Sequence, residues 1–515
     1  MIQHRKPVVV SVLTGVLLLA CIPYIRGLNY PLLHDDFPAV INNPLIIKGF
    51  HPIKIFKTNA WGGRKRYGML YRPLWVLGVS FTYNFISDKV WVHRFINILL
   101  HALTAMLVTL ILLRLKVPLT AAGLAGAFFA LQAVHTEAVM FITNRQELQA
   151  AFFILLAVYM AIKHANITVQ AILLLLALFS KESAVVYPVI YLLILWGLHR
   201  ARIKKLLLHG TVLFLVTAAY IILRKSAIGY WTSGPVPFMD NPLVNSGILE
   251  RTLSVFSLFW QAISLMLLPS GLSLDYGFNA WPEVATFTDP RFIAGFIIAT
   301  LATLFICFGL RHKKAAHVPA LFMLIFLVSY GLFSNALFLN TIIFAERNLY
   351  LPSAFLIIAI FAFPMRFMVA KAASAFAILL IAGNFAVASG RVTDYKDPVH
   401  LYASSLTARP NSPRMEVDLA LGLEMLGQQD LAIRHLKRAM HIYPLMPSVY
   451  NDLGAIYYKN GQFSKAIPYF LKGVAIGPGS YNLNQHLCLS YRRINMPNLA
   501  RPYCSRAAWL KKRMM

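Results

Sequence analysis

Acidic residues are scarce in this chain. Asp and Glu number 19 in 515 residues, against 48 Lys and Arg, which leaves a formal net charge of +29. So basic a chain invites a nucleic-acid partner, but its lysines and arginines are clustered in short blocks between apolar runs. The positive-inside rule predicts that arrangement for the cytoplasmic ends of membrane spans. We therefore expect no nucleic acid among the partners.

Charged residues of either sign are also few, at 13%, whereas hydrophobic residues make up 58% and the mean hydropathy is +0.63. Soluble domains average roughly 45–50% apolar residues. Many apolar runs are long enough for a bilayer, which needs about 20 residues per helix. The composition excludes an ordinary soluble protein and predicts a polytopic membrane protein.

Cysteine is rare too, with four in the chain. Cys21 and Cys307 lie within apolar runs and are expected to pack as small hydrophobic residues. No Ala-x-Ala cleavage site is evident near the first apolar run, so residues 7–25 are predicted to be an uncleaved span. The sequence has no dense cluster of metal ligands, and we predict no metal site.

Eleven apolar runs are predicted to span the membrane. Basic blocks stand at alternate ends of these runs, from His4-Arg5-Lys6 through Arg311–Lys314 to Arg366 and Lys371. All are cytoplasmic if the N-terminus is inside, as the positive-inside rule requires. The predicted spans are 7–25, 92–113, 118–135, 146–162, 167–180, 183–198, 206–224, 290–310, 317–334, 349–365 and 371–388.

Segment 250–268 is also apolar, but counting it as a span would put the block Arg311–Lys314 outside. We interpret it as a re-entrant or interfacial helix in a long outer loop, 225–289, since such segments are tolerated when protein buries them. A twelfth span is the alternative. The first outer loop covers 26–91, and its aromatic stretch Arg72–Ile86 is predicted to be an interfacial helix.

The outer ends of the spans carry acids, bases and histidines together. Asp35 and Asp36 follow the first span within about ten residues, and an acidic pair so close to hydrocarbon is a candidate functional site because it is costly. The mixture suits an active site at the outer membrane boundary; ion pairs that join helix ends are the alternative. The outer set is His34, Asp35, Asp36, His135, Glu137, Arg145, Glu147, Lys181, Glu182, Glu346 and Arg347.

A 34-residue period begins after about residue 390, where the long apolar runs stop. Gly427 and Gly461 repeat at that step, and so do three alanines. This is the pattern of tetratricopeptide repeats, which bind peptides or proteins or dock on their own membrane domain. Three repeats are predicted, at 413–446, 447–480 and 481–514, the last degenerate with Asn495 at its turn.

The topology divides the chain into a membrane domain, 1–389, and a repeat domain outside the cytoplasm, 390–515. Cys488 and Cys504 occupy facing helices of the third repeat. In an oxidising compartment they could form a disulfide. Two buried thiols are the alternative, because geometry decides.

Several motifs occur in order between about residues 30 and 355. They are His34-Asp35-Asp36, Ile41-Asn42-Asn43-Pro44, Tyr71-Arg72-Pro73-Leu74, His93-x-x-x-Asn97-x-x-x-His101, His135-Thr136-Glu137-Ala138-Val139, Ser180-Lys181-Glu182 and Ala345-Glu346-Arg347-x-Leu349-Tyr350-Leu351-Pro352-Ser353. With the repeats behind them, they resemble the transmembrane and tetratricopeptide-repeat O-mannosyltransferases and their bacterial relatives in the GT-C superfamily. Two departures stand out: Gln132-Ala133-Val134 replaces the family's His-Pro-Val, and only about three repeats are present.

The resemblance implies an all-α GT-C fold of about eleven transmembrane helices with a C-terminal tetratricopeptide solenoid. It also implies a sugar donor on a polyprenyl phosphate, transfer at the outer face by single displacement with inversion, and a catalytic acid in the first outer loop. By alignment with the first acid of the family pair, Asp35 is the predicted base. Asp36 would orient it, tune its pKa or bind the acceptor.

The leaving phosphate needs cations at the membrane boundary. The outward candidates are Arg72, Arg145, Lys181 and Arg347, and the candidates for the acceptor or the pocket are His34, His135, Glu137, Glu182 and Glu346. For Arg347 the alternative is an ion pair with Glu346. For His135 and Glu137 it is a helix-end network. The motif from His93 to His101 suits a polar seam between helices.

The predicted function is transfer of a sugar, with mannose one candidate, to a hydroxyl acceptor on a protein or an envelope glycan. Nucleotide sugars are scarce outside the cytoplasm, which favours the polyprenyl-phosphate donor. The expected partners are membrane lipid, this donor and an acceptor that the repeats could hold. The expected location is the bacterial inner membrane, with the repeats in the periplasm. The alternatives are a ligase or polymerase using a diphosphate-linked glycan, and a membrane-anchored repeat scaffold.

Overall fold

The computed structural model of the protein describes residues 6–62, 70–231, 234, 236–312, 315–363 and 367–514. Within those ranges helices alternate with turns and loops and no strand occurs, so the predicted all-α class is confirmed. Some residues on which the predicted orientation rests lie outside the described residues, namely His4, Arg5, Lys313, Lys314 and Arg366. The chain divides into two compact units.

The larger unit comprises the described residues of Met1–Gly63, Gly68–Leu272 and Glu283–Asp397. Its longer helices are α1 (Lys6–Cys21), α2 (Pro73–Phe81), α3 (Val90–Arg114), α4 (Leu119–Leu131), α5 (Arg145–Ile162), α6 (Ile167–Ser180), α7 (Tyr187–Gly197), α8 (Ile203–Ile228), α9 (Ile248–Leu267), α10 (Pro290–His312), α11 (His317–Gly331), α12 (Tyr350–Phe361) and α13 (Phe367–Asp394). Shorter helical turns lie at Ile22–Gly27, Phe37–Ile41, Pro44–Ile47, Pro52–Phe56, Thr82–Ile86, Ala133–His135, Thr136–Met140, Glu182–Val186, Pro242–Val244 and Glu346–Leu349.

Six helices of the described residues are long and apolar enough to cross a membrane: α1 continued to Gly27, α3, α5, α8, α10 and α13. The number is seven if α4 and Ala133–Met140, which meet at an angle of 46°, form one broken span. All eleven predicted runs coincide with helices, but α6, α7, α11 and α12 have only 14, 11, 15 and 12 residues. A crossing needs about 20 residues. The structure therefore supports a multi-pass protein and does not confirm the count of eleven.

Helix α9 coincides with segment 250–268, predicted to be re-entrant or interfacial, and it is not among the six spanning helices. It packs closely on α10. Gly295 permits this approach, because a Cβ atom at that position would collide with the carbonyl oxygen of Phe256. Between α1 and α3, α2 and the following turn Thr82–Ile86 form the helix predicted over Arg72–Ile86.

The smaller unit comprises the described residues of Ser273–Pro282 and Pro398–Met515. Helix α14 (Pro398–Ala408) precedes three helix pairs, one in each predicted repeat. The turns within the pairs contain Gly427, Gly461 and Asn495, whose φ angles are 75°, 73° and 57°. Glycine and asparagine tolerate this left-handed region best. The pairs are α15 (Pro413–Met425) with α16 (Gln429–Ile442), α17 (Pro447–Lys459) with α18 (Phe463–Ile476), and α19 (Tyr481–Arg493) with α20 (Pro497–Met514).

A disulfide joins Cys488 in α19 to Cys504 in α20, which resolves the two alternatives that the sequence left open. The bond staples the helices of the last repeat, whose turn has Asn495 in place of the usual glycine. The two cysteines are 16 residues apart. A cross-link over a loop of that size stabilises a fold by roughly 3 kcal/mol.

An acidic side chain holds part of the loop between α9 and α10 on the repeats. We call Ser273–Pro282 the strap. Within it, Asp275 accepts hydrogen bonds from the Ser412 hydroxyl at 2.6 Å and from the Arg414 guanidinium at 3.4 Å. Asp275 is buried, and a buried carboxylate is tolerated when donors such as these compensate its charge.

Aromatic residues of the strap enclose a second arginine of the repeat unit. The Arg409 guanidinium lies 4.9 Å from the ring centroid of Tyr276 and 5.1 Å from that of Trp281. Each such contact contributes about 0.5–1 kcal/mol or more where water is excluded. Because the strap is part of the α9–α10 loop, that loop and the repeats must lie on the same face of a membrane.

This shared face can be tested by labelling. Pro282 in the strap and Asn460 in the second repeat are exposed. Single cysteines there, with Cys21→Ala and Cys307→Ala, should react with an impermeant maleimide from the same side of sealed vesicles. A cysteine at exposed Arg202, between α7 and α8, should react only from the other side. Labelling of Pro282→Cys and Asn460→Cys from opposite sides would refute the docked strap.

The disulfide between Cys488 and Cys504 can be tested by alkylation. Alkylation of the unfolded, unreduced protein should modify Cys21 and Cys307 only, and mass spectrometry should find Cys488 and Cys504 modified only after reduction. Cys504→Ser should lower the free energy of unfolding of the repeat unit by about 2–4 kcal/mol. Equal alkylation of all four cysteines without reductant would contradict the bond.

Candidate active site

Two adjacent aspartates in the loop between α1 and α2 point into different environments. The Asp35 side chain is 57% exposed, whereas Asp36 has no exposed surface. His34 precedes them with a φ of 48°, a left-handed conformation that is uncommon outside glycine. The backbone N–H of Asp36 donates to the Leu33 carbonyl at 3.0 Å and closes the turn.

The Asp36 carboxylate is bound by donors from a segment more than a hundred residues away. It accepts hydrogen bonds from the Ile142 N–H at 3.2 Å, the Thr143 N–H at 2.8 Å and the Thr143 hydroxyl at 2.5 Å. Burial raises the pKa of Asp36, and these three donors, together with Arg94, oppose that shift. Asp36 therefore anchors the turn, and Asp35 is the member of the pair that can reach a reactant.

Neighbouring elements fix the segment that receives Asp36. The Trp75 indole of α2 donates to the Ile142 carbonyl at 3.1 Å. Asn97 of α3 donates to the carbonyls of Val139 at 3.0 Å and Phe141 at 2.9 Å. The Arg145 guanidinium holds Asn97 in turn, with its Nε 2.8 Å from the amide oxygen. Arg145 is only 1% exposed, so this structure turns it into the protein and away from the loop surface.

The other three candidate cations are paired with carboxylates. Arg72 donates to both oxygens of Glu182, at 2.8 and 2.5 Å. Lys181 pairs with Glu147 and also donates to the Asn348 amide oxygen at 3.2 Å.

Arg347 pairs with Glu137 through its guanidinium and, at 3.0 Å, through its backbone N–H. The Arg347 side chain thus pairs with Glu137 and not with Glu346, which was the alternative that the sequence left open. All three pairs join residues from separate parts of the chain.

Arg347 is the most exposed of the three paired cations. Its side chain is 22% exposed, more than that of Arg72 or Lys181. Burial disfavours its charged form, but the carboxylates outweigh that effect and raise its pKa, Glu137 most, then Glu147 and least Asp35.

A narrow cleft of about 10 Å³, with room for roughly one water molecule, lies beside the Lys181 pair. Glu147 and Asn348, the two partners of Lys181, are at its polar side, and the Lys181 ammonium is 5.1 Å from the centroid of the Phe333 ring. Its walls are mostly apolar. The lining residues are Glu147, Ala150, Ala151, Ser183, Val186, Ser329, Leu332, Phe333, Asn348 and Leu351.

The predicted histidines have different places. His34 is partly exposed, with its Nε2 3.8 Å from the Asp35 carboxylate. His135 is buried, with its Nε2 2.9 Å from the Ser353 hydroxyl. His101 bonds Tyr350 at 2.8 Å, so the polar seam predicted for α3 includes partners from α12. Glu346 is buried as well.

Sequence reasoning missed Thr143, Trp75 and Arg94. No sequence pattern marks Thr143 or Trp75 as a residue that helps to hold the acid pair. Arg94 lies next to a motif histidine but within an apolar run, where only its charge could have signalled a role. Among the described residues, no group of three or more His, Cys, Asp or Glu side chains could hold a metal ion.

These features define a class: a multi-pass, all-helical membrane protein with an exposed acid and a partnered arginine in its loops, followed by tetratricopeptide helix pairs. The family described as Protein O-mannosyl-transferase TMTC, DUF1736, matches residues 236–303, which include α9 and the strap. A protein O-mannosyl-transferase of Caenorhabditis elegans is 26% identical over 84% of this chain and 62% of its own length. The resemblance to the TMTC proteins is therefore confirmed.

Two human relatives show the same similarity. Protein O-mannosyl-transferase TMTC1 is 25% identical over 85% of this chain and 56% of its own length, and TMTC2 is 27% identical over 56% and 38%. The chain thus spans less than two thirds of these relatives. Among solved structures, the crystal structure of MamA is 20% identical over 28% of this chain and 84% of its own length. Its TM-score of 0.22 is too low to support a conclusion.

Replacing each acid should separate their structural roles. Asp36→Asn puts an NH2 group among three donors, which leaves buried groups unpaired, so the unfolding free energy should fall by about 1–3 kcal/mol. Asp35→Asn, at an exposed position, should change it by less than about 0.5 kcal/mol. Thermal unfolding of the purified variants measures both. Equal stability of the two variants would contradict the anchoring role of Asp36.

Proposed function

We propose that this protein is a membrane glycosyltransferase that moves a sugar from a polyprenyl-phosphate donor to a hydroxyl group on a protein or an envelope glycan. The relatives' names support glycosyl transfer and make mannose the first sugar to test. The observation that carries the proposal is the contrast between two adjacent acids, because Asp36 is buried and the Asp35 carboxylate is left 57% exposed. An exposed acid can accept the acceptor's proton, and the partly exposed Arg347 guanidinium can stabilise the leaving phosphate.

Asp35 is the proposed general base. The acceptor hydroxyl attacks the anomeric carbon of the sugar, and its proton passes to the Asp35 carboxylate. The new C–O bond forms while the bond from that carbon to the phosphate oxygen breaks, so the electron pair leaves with the phosphate. A single displacement of this kind inverts the anomeric centre. A positioned base contributes about 10²–10⁴-fold to the rate.

Arg347 is the proposed contact for the leaving phosphate. Its planar guanidinium can share its donors between Glu137 and a phosphate, and a cation there stabilises the charge that develops on the leaving group. Lys181 is the second proposed contact. Arg72, bound at both oxygens of Glu182, and Arg145, turned inward, remain candidates that would require a larger rearrangement.

The proposed location is the outer face of a bacterial inner membrane, with the repeats in the periplasm. The disulfide between Cys488 and Cys504 supports an oxidising compartment for the repeat unit. The strap would then place the α9–α10 loop in the same compartment. The repeats are proposed to hold the acceptor.

The direct test uses the full-length protein in proteoliposomes with labelled polyprenyl-phosphate mannose and extracted envelope protein and glycan. Asp35→Asn should lower kcat by about 10²–10⁴-fold. Asp289→Asn, which changes an acid paired with Arg291 at the start of α10, is the matched control and should retain full activity. Unchanged transfer by Asp35→Asn would overturn the proposed base. Transfer only from a diphosphate-linked glycan would favour the alternative ligase or polymerase. Transfer from neither donor would favour the membrane-anchored repeat scaffold.

A further inference from the structure

Arg94, in the second turn of α3, makes an unusual set of hydrogen bonds to backbone carbonyls. Its side chain donates to Gly27 at 2.9 Å, Leu28 at 3.4 Å and Pro31 at 2.6 Å, and also to Tyr30. A further bond reaches the Met140 carbonyl at 3.2 Å. Four of these five acceptors lie in one segment, residues 27–31, which leads directly into the acid pair. Arg94 itself is only 2% exposed.

Only arginine can make this set of contacts. The guanidinium carries five N–H donors in a rigid fork, whereas a lysine ammonium carries three from a single nitrogen. A buried arginine without a counter-charge is costly, and Asp36 supplies one. Arg94 acts on Asp36 in the direction that favours the carboxylate. We call the five bonds from Arg94 to backbone carbonyls the clamp. The charges of the clamp and of the anchored acid are therefore of opposite sign.

Close packing also restricts the backbone of residues 27–31. A Cβ atom on Gly27 would lie 2.6 Å from the Met140 Cε and 3.1 Å from Val392 Cγ1. On the other side of Asp35, Asp36 is bound to Ile142 and Thr143. Asp35 thus stands between two anchors, with Arg94 before it and Asp36 after it, and both anchors hold it against residues 140–143.

We propose that Arg94 is a positioning residue that sets where the Asp35 carboxylate stands. The inference rests on the proposed function, since it gives Arg94 an effect only through the base. Arg94 touches no reactant and is walled off from solvent. Loss of the clamp would let residues 27–34 shift, and misplacement of a reacting group by about 1 Å costs roughly 10²-fold in rate.

The test is a double-mutant cycle in the full-length protein. Arg94→Lys keeps the charge but loses most of the five bonds, and it should lower kcat at least tenfold while the KM for the lipid-linked sugar changes less than twofold. In the Asp35→Asn background the same change should cost less than twofold, because the group that Arg94 positions is already gone. If Arg94 only supports the fold, the two losses should multiply, and that outcome overturns the proposal.

Two further variants keep the result interpretable. Arg251→Lys is the matched control, since Arg251 of α9 also donates to loop carbonyls, Asn335 at 2.8 and 3.0 Å, but contacts nothing near the acid pair. It should leave kcat unchanged. Gly27→Ala disturbs residues 27–31 without altering Arg94 or Asp35 and should show the same non-additive loss, even if Arg94→Lys folds poorly.

Failure of the underlying function would look different. If Asp35→Asn itself transfers at the normal rate, the proposed base is wrong and the positioning role of Arg94, which acts only through that base, is overturned with it. If Asp35→Asn is inactive as expected but Gly27→Ala and Arg94→Lys both retain normal kcat, the proposed function stands and the positioning role is refuted.

Discussion

The arrangement of the site depends on one buried carboxylate. Asp36 enters the protein in the loop between α1 and α2 and accepts three hydrogen bonds from Ile142 and Thr143. A carboxylate without such partners would cost several kcal/mol to bury, so the loop can close only where these donors are. With Asp36 bound there, the side chain of its neighbour Asp35 is left 57% exposed. The difference between the anchored acid and the proposed base follows from this arrangement.

Three ion pairs join distant segments of the larger unit. Glu137, Glu147 and Glu182 each hold a cation that the sequence assigned to phosphate binding. Pairing and phosphate binding are compatible, because a cation kept in position by a carboxylate is preorganised for an anion that arrives later. The paired arrangement is also what keeps charges of this density stable at the boundary of the spans. An ion pair in this structure is therefore compatible with the proposed phosphate contact at the same cation.

Much of the fold could be predicted because its signals are local. Apolar runs locate the helices of the larger unit, and the 34-residue period locates the repeats so well that Asn495, expected at a turn, adopts a left-handed conformation there. The site was predicted less completely. Nothing near residue 36 indicates that its partners are at 142 and 143, and the clamp by Arg94 requires knowing that α3 packs beside residues 27–31. The strap likewise depends on a contact across more than a hundred residues, between Asp275 and Ser412.

The most direct measurement of the central claim is a structure of the full-length protein in lipid nanodiscs with a non-hydrolysable polyprenyl-phosphonate sugar. The account predicts that the Asp35 carboxylate faces the anomeric carbon across a gap that admits one acceptor oxygen, with the phosphonate against Arg347 and Asp36 still bound to Thr143. A headgroup bound at another surface, with Asp35 facing only solvent, would contradict it.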